Sequence, residues 1–330
     1  MSGWLLLSDR DHRLDGQPDR IGAGTLVVEF SWPLPAGVLL DWRADDRALS
    51  MFHHPQSGLG LYWREGPDLH RHLLPGSLRS DARLARLTFH WDAPGNLWRM
   101  RLDGADGAEI AATCGLAPAA LPLRALEELA AGRGVNRRDG AILWFGVLTG
   151  ESPPARAPWM GRATPVPTPG GPVPAGMLRR GQWVLTRDAG PVQLRDVRHL
   201  DMPSRGSHAA VLLRAPFHAR ATDLLVSSDQ MVALDGPEAE YLFGEDEILV
   251  SAGALIDGRT AIADNRRAVT TGVSLDLGAL HLIDVGGCVL MTAHHAATGP
   301  MPIMPLRAIR DYEAAPLMSL LRRLRPSDAA

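Results

Sequence analysis

Between Glu151 and Gly176 the chain carries proline at positions 153, 154, 158, 165, 167, 169, 172 and 174. Proline has no amide N–H to give a helix or a central strand, and its ring fixes φ, so this density excludes a helix and favours extended backbone. Such a segment divides a chain of 330 residues, already long for one core, into two parts. The expected organisation is a domain over residues 1–150, a proline-rich linker over 151–158, a second domain over 159–300 and a tail over 301–330. Apolar residues make up 45% of the sequence, enough to fill both cores.

The first part reads as short strands bounded by glycine and proline, with candidates at Thr25 to Phe30, Val38 to Trp42, Leu59 to Trp63 and Leu84 to Trp91. Leu87, Phe89 and Trp91 alternate with polar residues, as do Trp98, Met100 and Leu102, and Asp92 to Asn96 makes a turn between them. That pattern predicts a hairpin with one apolar and one polar face. Leu123, Leu126 and Leu129 share one face of a helix that Gly132 stops, and Ile142 to Leu148 is a fully apolar strand suited to the interior of a sheet. The stretch Leu84 to Gly104 also resembles the hairpin of laminin-G and concanavalin-like β-sandwiches.

Net charge is −3, there is no lysine, and the arginines are spread along both parts. This balance points away from nucleic acid and from a polybasic membrane anchor. Cys114 and Cys288 are far apart and lack a C-x-x-C spacing, so they read as two partly buried thiols, with no disulfide or zinc site expected. The apolar run Trp4 to Leu7 is too short for a secretory signal, and no run is long enough to span a bilayer. The expected location is cytoplasmic, or exported by a route that needs no Sec signal. His53 with His54, His70 with His72, and His294 with His295 are histidine pairs without acidic partners at a metal-binding spacing, so no metal or cofactor is expected. Trp42, Trp63, Trp91 and Trp98 are candidates for stacking on a sugar, against the alternative that they fill the sandwich core.

In the second part, Ala221 to Gly258 holds the apolar runs Leu224 to Val226 and Ile248 to Val250, separated by an acidic, glycine-containing segment that reads as a turn between strands. Leu242 to Glu247, leading into Ile248 to Val250 and then Asp257 to Thr260, together with the earlier run LRRGQWVLTRD at 178–188, resembles a bacterial Hint (hedgehog/intein) domain. The resemblance takes in Leu280 to Ile283, resembling a family strand, and Pro305 to Met318, resembling a segment that trails such domains, with Leu306, Ile309 and Arg310 in helical register. A solvated, short amphipathic helix is expected over Leu317 to Leu324. The fold class that follows is mainly β: an N-terminal antiparallel β-sandwich, a C-terminal Hint-type all-β domain and a short C-terminal helix.

The resemblance implies self-processing, in which a thiol or hydroxyl at the first residue attacks the preceding carbonyl and a histidine protonates the departing nitrogen. In this chain the nucleophile position is Trp159, followed by Met160, and neither side chain can attack a carbonyl. Ser227, Ser228, Asp229 and Gln230 match the Thr/Ser-x-x-His motif with glutamine in place of histidine, and an amide cannot deliver a proton near neutral pH. The nearest hydroxyls, Ser152 and Thr164, fall out of register, and His281 is a further polar candidate on a strand. The run Glu245 to Glu247 reads as a charged turn rather than a pair of catalytic carboxylates, and no nucleotide-binding glycine motif or nucleophile elbow occurs.

Three functions stay open on these residues. The first is a non-catalytic binding or structural module whose partner is an unknown protein or glycan. The second is an autoprocessing protein using Thr164 with His281, and the third a carbohydrate-binding protein acting through the sandwich.

Overall fold

The strict alternation from Leu84 to Leu102 becomes a hairpin of Leu84–Asp92 and Leu97–Gly104, in register from Ala85–Gly104 to Asp92–Leu97, with every second side chain buried. The chain is described by a computed structural model covering residues 4–9, 19–104, 107–132, 135–150, 157–219, 221–295 and 302–324. Residues 151–156 of the expected linker, including Ser152, lie outside the described residues. The described chain falls into two compact units, the first running up to the linker and taking in Arg205–Ser207, the second comprising the rest.

In the first unit the hairpin extends into a six-stranded antiparallel sheet, ordered Trp4–Leu7, Ile142–Leu148, Ala23–Ser31, Leu84–Asp92, Leu97–Gly104, Glu109–Leu116. A five-stranded antiparallel sheet of Val135–Arg138, Gly37–Ala44, Arg47–His54, Gly58–Glu65 and Asp68–Pro75 shares one apolar core with it, so the unit is a β-sandwich. Trp42, Trp63, Trp91 and Trp98 all lie in that core, and the indoles of Trp42 and Trp63 stack with centroids 6.3 Å apart. Three of these indole N–H groups donate to a partner, that of Trp42 to Glu128 Oε2 at 2.7 Å, that of Trp91 to the Ile21 carbonyl at 2.9 Å and that of Trp98 to the Leu116 carbonyl at 3.2 Å. As core residues they have no face left to offer a sugar. Helix Leu123–Ala131 ends on Gly132 in the left-handed region (φ 64°), as its leucine spacing and terminal glycine predict.

The second unit is built on a six-stranded sheet ordered Asp196–Pro203, Val269–Asp276, Met160–Gly161, Leu224–Ser227, Ala210–Leu213, Ala261–Asp264. The two-residue strand Met160–Gly161 sits mid-sheet, Met160 pairing with Val226 on one side and Val273 on the other. A four-stranded sheet of Glu247–Ser251, Met231–Asp235, Cys288–Met291 and Leu282–Val285 shares its core.

Three expectations are corrected in this unit. The acidic segment between the two apolar runs is more than a turn: it holds strand Met231–Asp235 and helix Pro237–Phe243. That helix starts with proline in its first turn, carries Glu238 and Glu240 near its N-terminus and stops at Gly244 (φ 68°). Second, the residues before Asp311 are extended rather than helical, because Leu249 N donates to Arg307 O and Ile309 N to Leu249 O. Third, helix Asp311–Leu324 is not a solvated surface helix, since Ala314, Leu317 and Met318 are buried in the main core of the unit. Of the cysteines, Cys288 is buried and its thiol pushed up to about 12 by desolvation, whereas Cys114 is exposed rather than partly buried.

Candidate functional site

The mid-sheet position of Met160–Gly161 brings the preceding peptide bond, Pro158 to Trp159, between the strands Leu224–Ser227 and Val269–Asp276. Polar side chains from both strands grip it. The Trp159 N–H donates to Ser227 Oγ at 3.1 Å, and Ser227 N–H returns a bond to the Trp159 carbonyl at 3.0 Å. On the other side Ser274 Oγ lies 2.6 Å from the Pro158 carbonyl oxygen, to which it donates. Both serines are buried.

Trp159 is itself buried, packed with Leu200, Met202 and Ala210. Room for its indole comes from Gly272, where an added Cβ would stand 2.3 Å from Trp159 Cδ2. Gln230 is buried as well, and its side-chain amide donates to the Met231 carbonyl at 3.0 Å and the Met291 carbonyl at 2.7 Å. Its amide thus fastens the strands Met231–Asp235 and Cys288–Met291 to each other, and among the described residues no hydrogen bond links it to the Pro158–Trp159 peptide.

Among the described residues no hydrogen bond links Thr164 or His281 to this bond. Buried Thr164 donates its N–H to Gly161 O, and its carbonyl accepts from Ala175 N. His281 Nδ1 stands 2.9 Å from Asp188 Oδ2, and its N–H donates to Thr292 Oγ1 at 2.9 Å. Asp188 Oδ1 also accepts from Leu282 N at 2.9 Å, so this aspartate ties the end of strand Trp183–Thr186 to the start of Leu282–Val285. Glu247 pairs with Arg187 at the start of its strand.

Three residues at the site have no counterpart among the catalytic candidates read from sequence. Ser274 Oγ is 2.9 Å from His295 Nε2, and His295 Nδ1 is 2.9 Å from Asp196 Oδ2. The His295 N–H donates to Asp276 Oδ2 at 3.1 Å, and Arg198 Nε pairs with Asp196 Oδ2 at 2.9 Å. Burial lowers the His295 pKa by more than the Asp196 hydrogen bond raises it. Burial works to raise Asp196, but its hydrogen bonds with His295 and Arg198 outweigh this and hold the carboxyl below its usual range. His295 reads from sequence only as half of a histidine pair, and a serine between Val273 and Leu275 reads as an ordinary strand residue. Among the described residues no group of three metal-ligating side chains comes together. His53 Nδ1 is 3.1 Å from the Pro35 carbonyl, and His72 packs between Phe89 and Trp98.

The family model described as "Hint domain" matches residues 158–289. Its match begins at the proline of the gripped bond. Residues 158–289 form a Hint domain. Solved structures similar to the chain include the gp41-1 intein, at 10% identity over 42% of this chain and 98% of that one, with a TM-score of 0.27. The MchDnaB-1 intein is similar at 15% identity over 41% of this chain and 99% of that one (TM-score 0.28). The CBM40 of the Ruminococcus gnavus IT-sialidase, bound to α2,3-sialyllactose, is similar at 14% identity over 45% of this chain and 90% of that one (TM-score 0.29). No curated protein matches. Among the described residues no helix is long and apolar enough to cross a membrane.

Proposed function

We propose that the Hint domain of this chain is a non-cleaving, degenerate one, which holds the Pro158–Trp159 peptide bond intact and acts as a binding or structural module. The observation that carries this reading is Trp159. At the position from which the family's nucleophile attacks stands an indole with no thiol or hydroxyl, buried against Gly272, Leu200 and Met202. Gln230, at the histidine position, supports it: its amide N–H groups are engaged with two backbone carbonyls and carry no titratable proton. The scaffold around the bond is kept while both reacting groups are exchanged for side chains that pack or crosslink.

A cavity of about 280 Å³ in the same domain supports the binding side of this reading. Val232, Leu255 and Leu317 give it an apolar wall, and Asp235, Glu238 and Arg259 are among its charged residues. That combination suits a ligand or side chain with an apolar body and a polar end.

The intact mass of the purified full-length protein, taken before and after thiol and hydroxylamine treatment, tests the reading. The mass is expected to stay that of the uncleaved chain. A break between Pro158 and Trp159 overturns it.

A further inference from the structure

Proton counting at the Pro158 carbonyl gives the site a second property. Ser274 has one hydroxyl proton and two neighbours that can accept it, the Pro158 carbonyl oxygen at 2.6 Å and the His295 Nε2 nitrogen at 2.9 Å. The other imidazole nitrogen faces the Asp196 carboxylate at 2.9 Å, so Nδ1 must hold a proton to make that contact favourable. When His295 is neutral, its one ring proton is therefore on Nδ1, Nε2 is a bare acceptor, and it draws the Ser274 hydroxyl proton away from Pro158. When His295 is cationic, Nε2–H donates to Ser274 Oγ, and the serine proton has only the Pro158 carbonyl to go to.

We propose that Asp196, His295 and Ser274 are a proton relay that polarises the Pro158 carbonyl when the imidazole carries two protons and releases it when it carries one. This rests on the reading of an intact Pro158–Trp159 bond. It makes Ser274 the residue that acts on the carbonyl, and His295 and Asp196 positioning residues acting through it. No bond is made or broken: one hydroxyl proton changes acceptor.

The groups facing His295 set where it switches. Asp196 and Arg198 approach from strand Asp196–Pro203. Asp276, on strand Val269–Asp276, holds the His295 backbone N–H and stands 4.0 Å from Nδ1. Neighbouring His294 has its Nδ1 3.9 Å from Asp276 Oδ1. The carboxylates favour the cation, whereas desolvation and Arg198 disfavour it and win, so the relay polarises the carbonyl on the acid side of the ordinary histidine range.

Trp159 is preceded by proline and no other tryptophan of the chain is, so one bond can be watched alone. Full-length protein labelled with 13C′ proline and 15N tryptophan gives a single HNCO correlation, which reports the Pro158 carbonyl carbon and the Trp159 N–H together. On lowering the pH from about 8 to 5, the Pro158 carbonyl resonance is expected to move downfield with the same midpoint as the His295 ring carbons. Ser274→Ala is expected to abolish that movement while His295 still titrates, and Asp196→Asn to shift the midpoint further toward acid. A Pro158 carbonyl resonance that stays put while His295 titrates overturns the relay, and this arm needs no variant. Persistence of the movement in Ser274→Ala overturns it equally. Loss of the correlation with a matching loss of mass is a distinct failure, that of the intact-bond reading, and takes the relay with it.

Discussion

Gly272 and Trp159 depend on each other. Gly272 lies opposite Gly161 in the sheet, and the indole covers the space where a side chain on residue 272 would be. A Cβ there would meet the root of the ring, Cγ at 2.6 Å and Cδ2 at 2.3 Å, atoms that can move aside only if the buried indole leaves its place against Leu200, Met202 and Ala210. Gly272→Ala is therefore expected to destabilise the Hint domain by about 1–3 kcal/mol, the usual cost of overpacking a filled site. Urea denaturation of wild type and variant measures it. Trp159→Ala combined with Gly272→Ala removes the clash but leaves the cavity of a missing indole, so the pair is expected to be non-additive. A tryptophan at position 159 thus needs a glycine on the neighbouring strand. In a sequence that dependence is invisible, because the two positions are far apart until the sheet places them side by side.

Elements differ in how openly the sequence declares them. The sandwich hairpin is legible because Leu87, Phe89, Trp91, Trp98, Met100 and Leu102 alternate with polar residues, and all of those apolar positions are buried. Helix Pro237–Phe243 is harder: its glutamates read as the charge of a turn, although Gly236, Pro237 and Gly244 bracket it as helix punctuation. Trp159 and Gln230 are singled out in the sequence by the runs beside them, whereas Ser274, His295 and Asp196 converge from segments that only the sheet topology brings together. The C-terminal helix shows the same limit. Its pattern gives amphipathicity but not the partner of the apolar face, which is the domain core reached by Ala314, Leu317 and Met318. Leu317 also lines the cavity with Val232 and Leu255. Leu317→Ala is expected to cost about 2–4 kcal/mol, in the range for truncating a buried leucine. Protease susceptibility and denaturant midpoint both read this loss, and a change within about 0.5 kcal/mol, typical of a surface position, would return the helix to the solvated role its sequence suggests.

At the scale of the whole molecule, pH acts on the two units through different groups. In the Hint domain Asp257 is lowered to about 2, burial being outweighed by backbone and hydroxyl hydrogen bonds from Arg259, Ala261 and Thr260. Its contribution is complete above the ordinary aspartate range and is lost as pH falls toward 2. In the sandwich the sensitive group is His72, whose ring lies 4.8 Å from that of Phe89 and 4.9 Å from that of Trp98, with no hydrogen-bond partner for Nδ1 among the described residues. Desolvation, helped by His70, lowers it from 6.5 to about 4. Above pH 6.5 the imidazole is neutral in both folded and unfolded chains and costs nothing. Between about 6.5 and 4 the unfolded chain binds a proton that the folded one refuses, so stability falls with pH by about 1.4 kcal/mol per unit, about 3 kcal/mol across the window. Trp42, Trp63, Trp91, Trp98 and Trp144 are all buried in this unit, so tryptophan fluorescence during urea unfolding weights its transition. The midpoint is expected to drop steadily from pH 6.5 to 4.5 in wild type and to flatten in His72→Phe, which keeps an aromatic ring between Phe89 and Trp98 without a proton to gain. Equal slopes in the two proteins over that interval would remove His72 as the cause and place the acid sensitivity of the sandwich on its ion pairs instead.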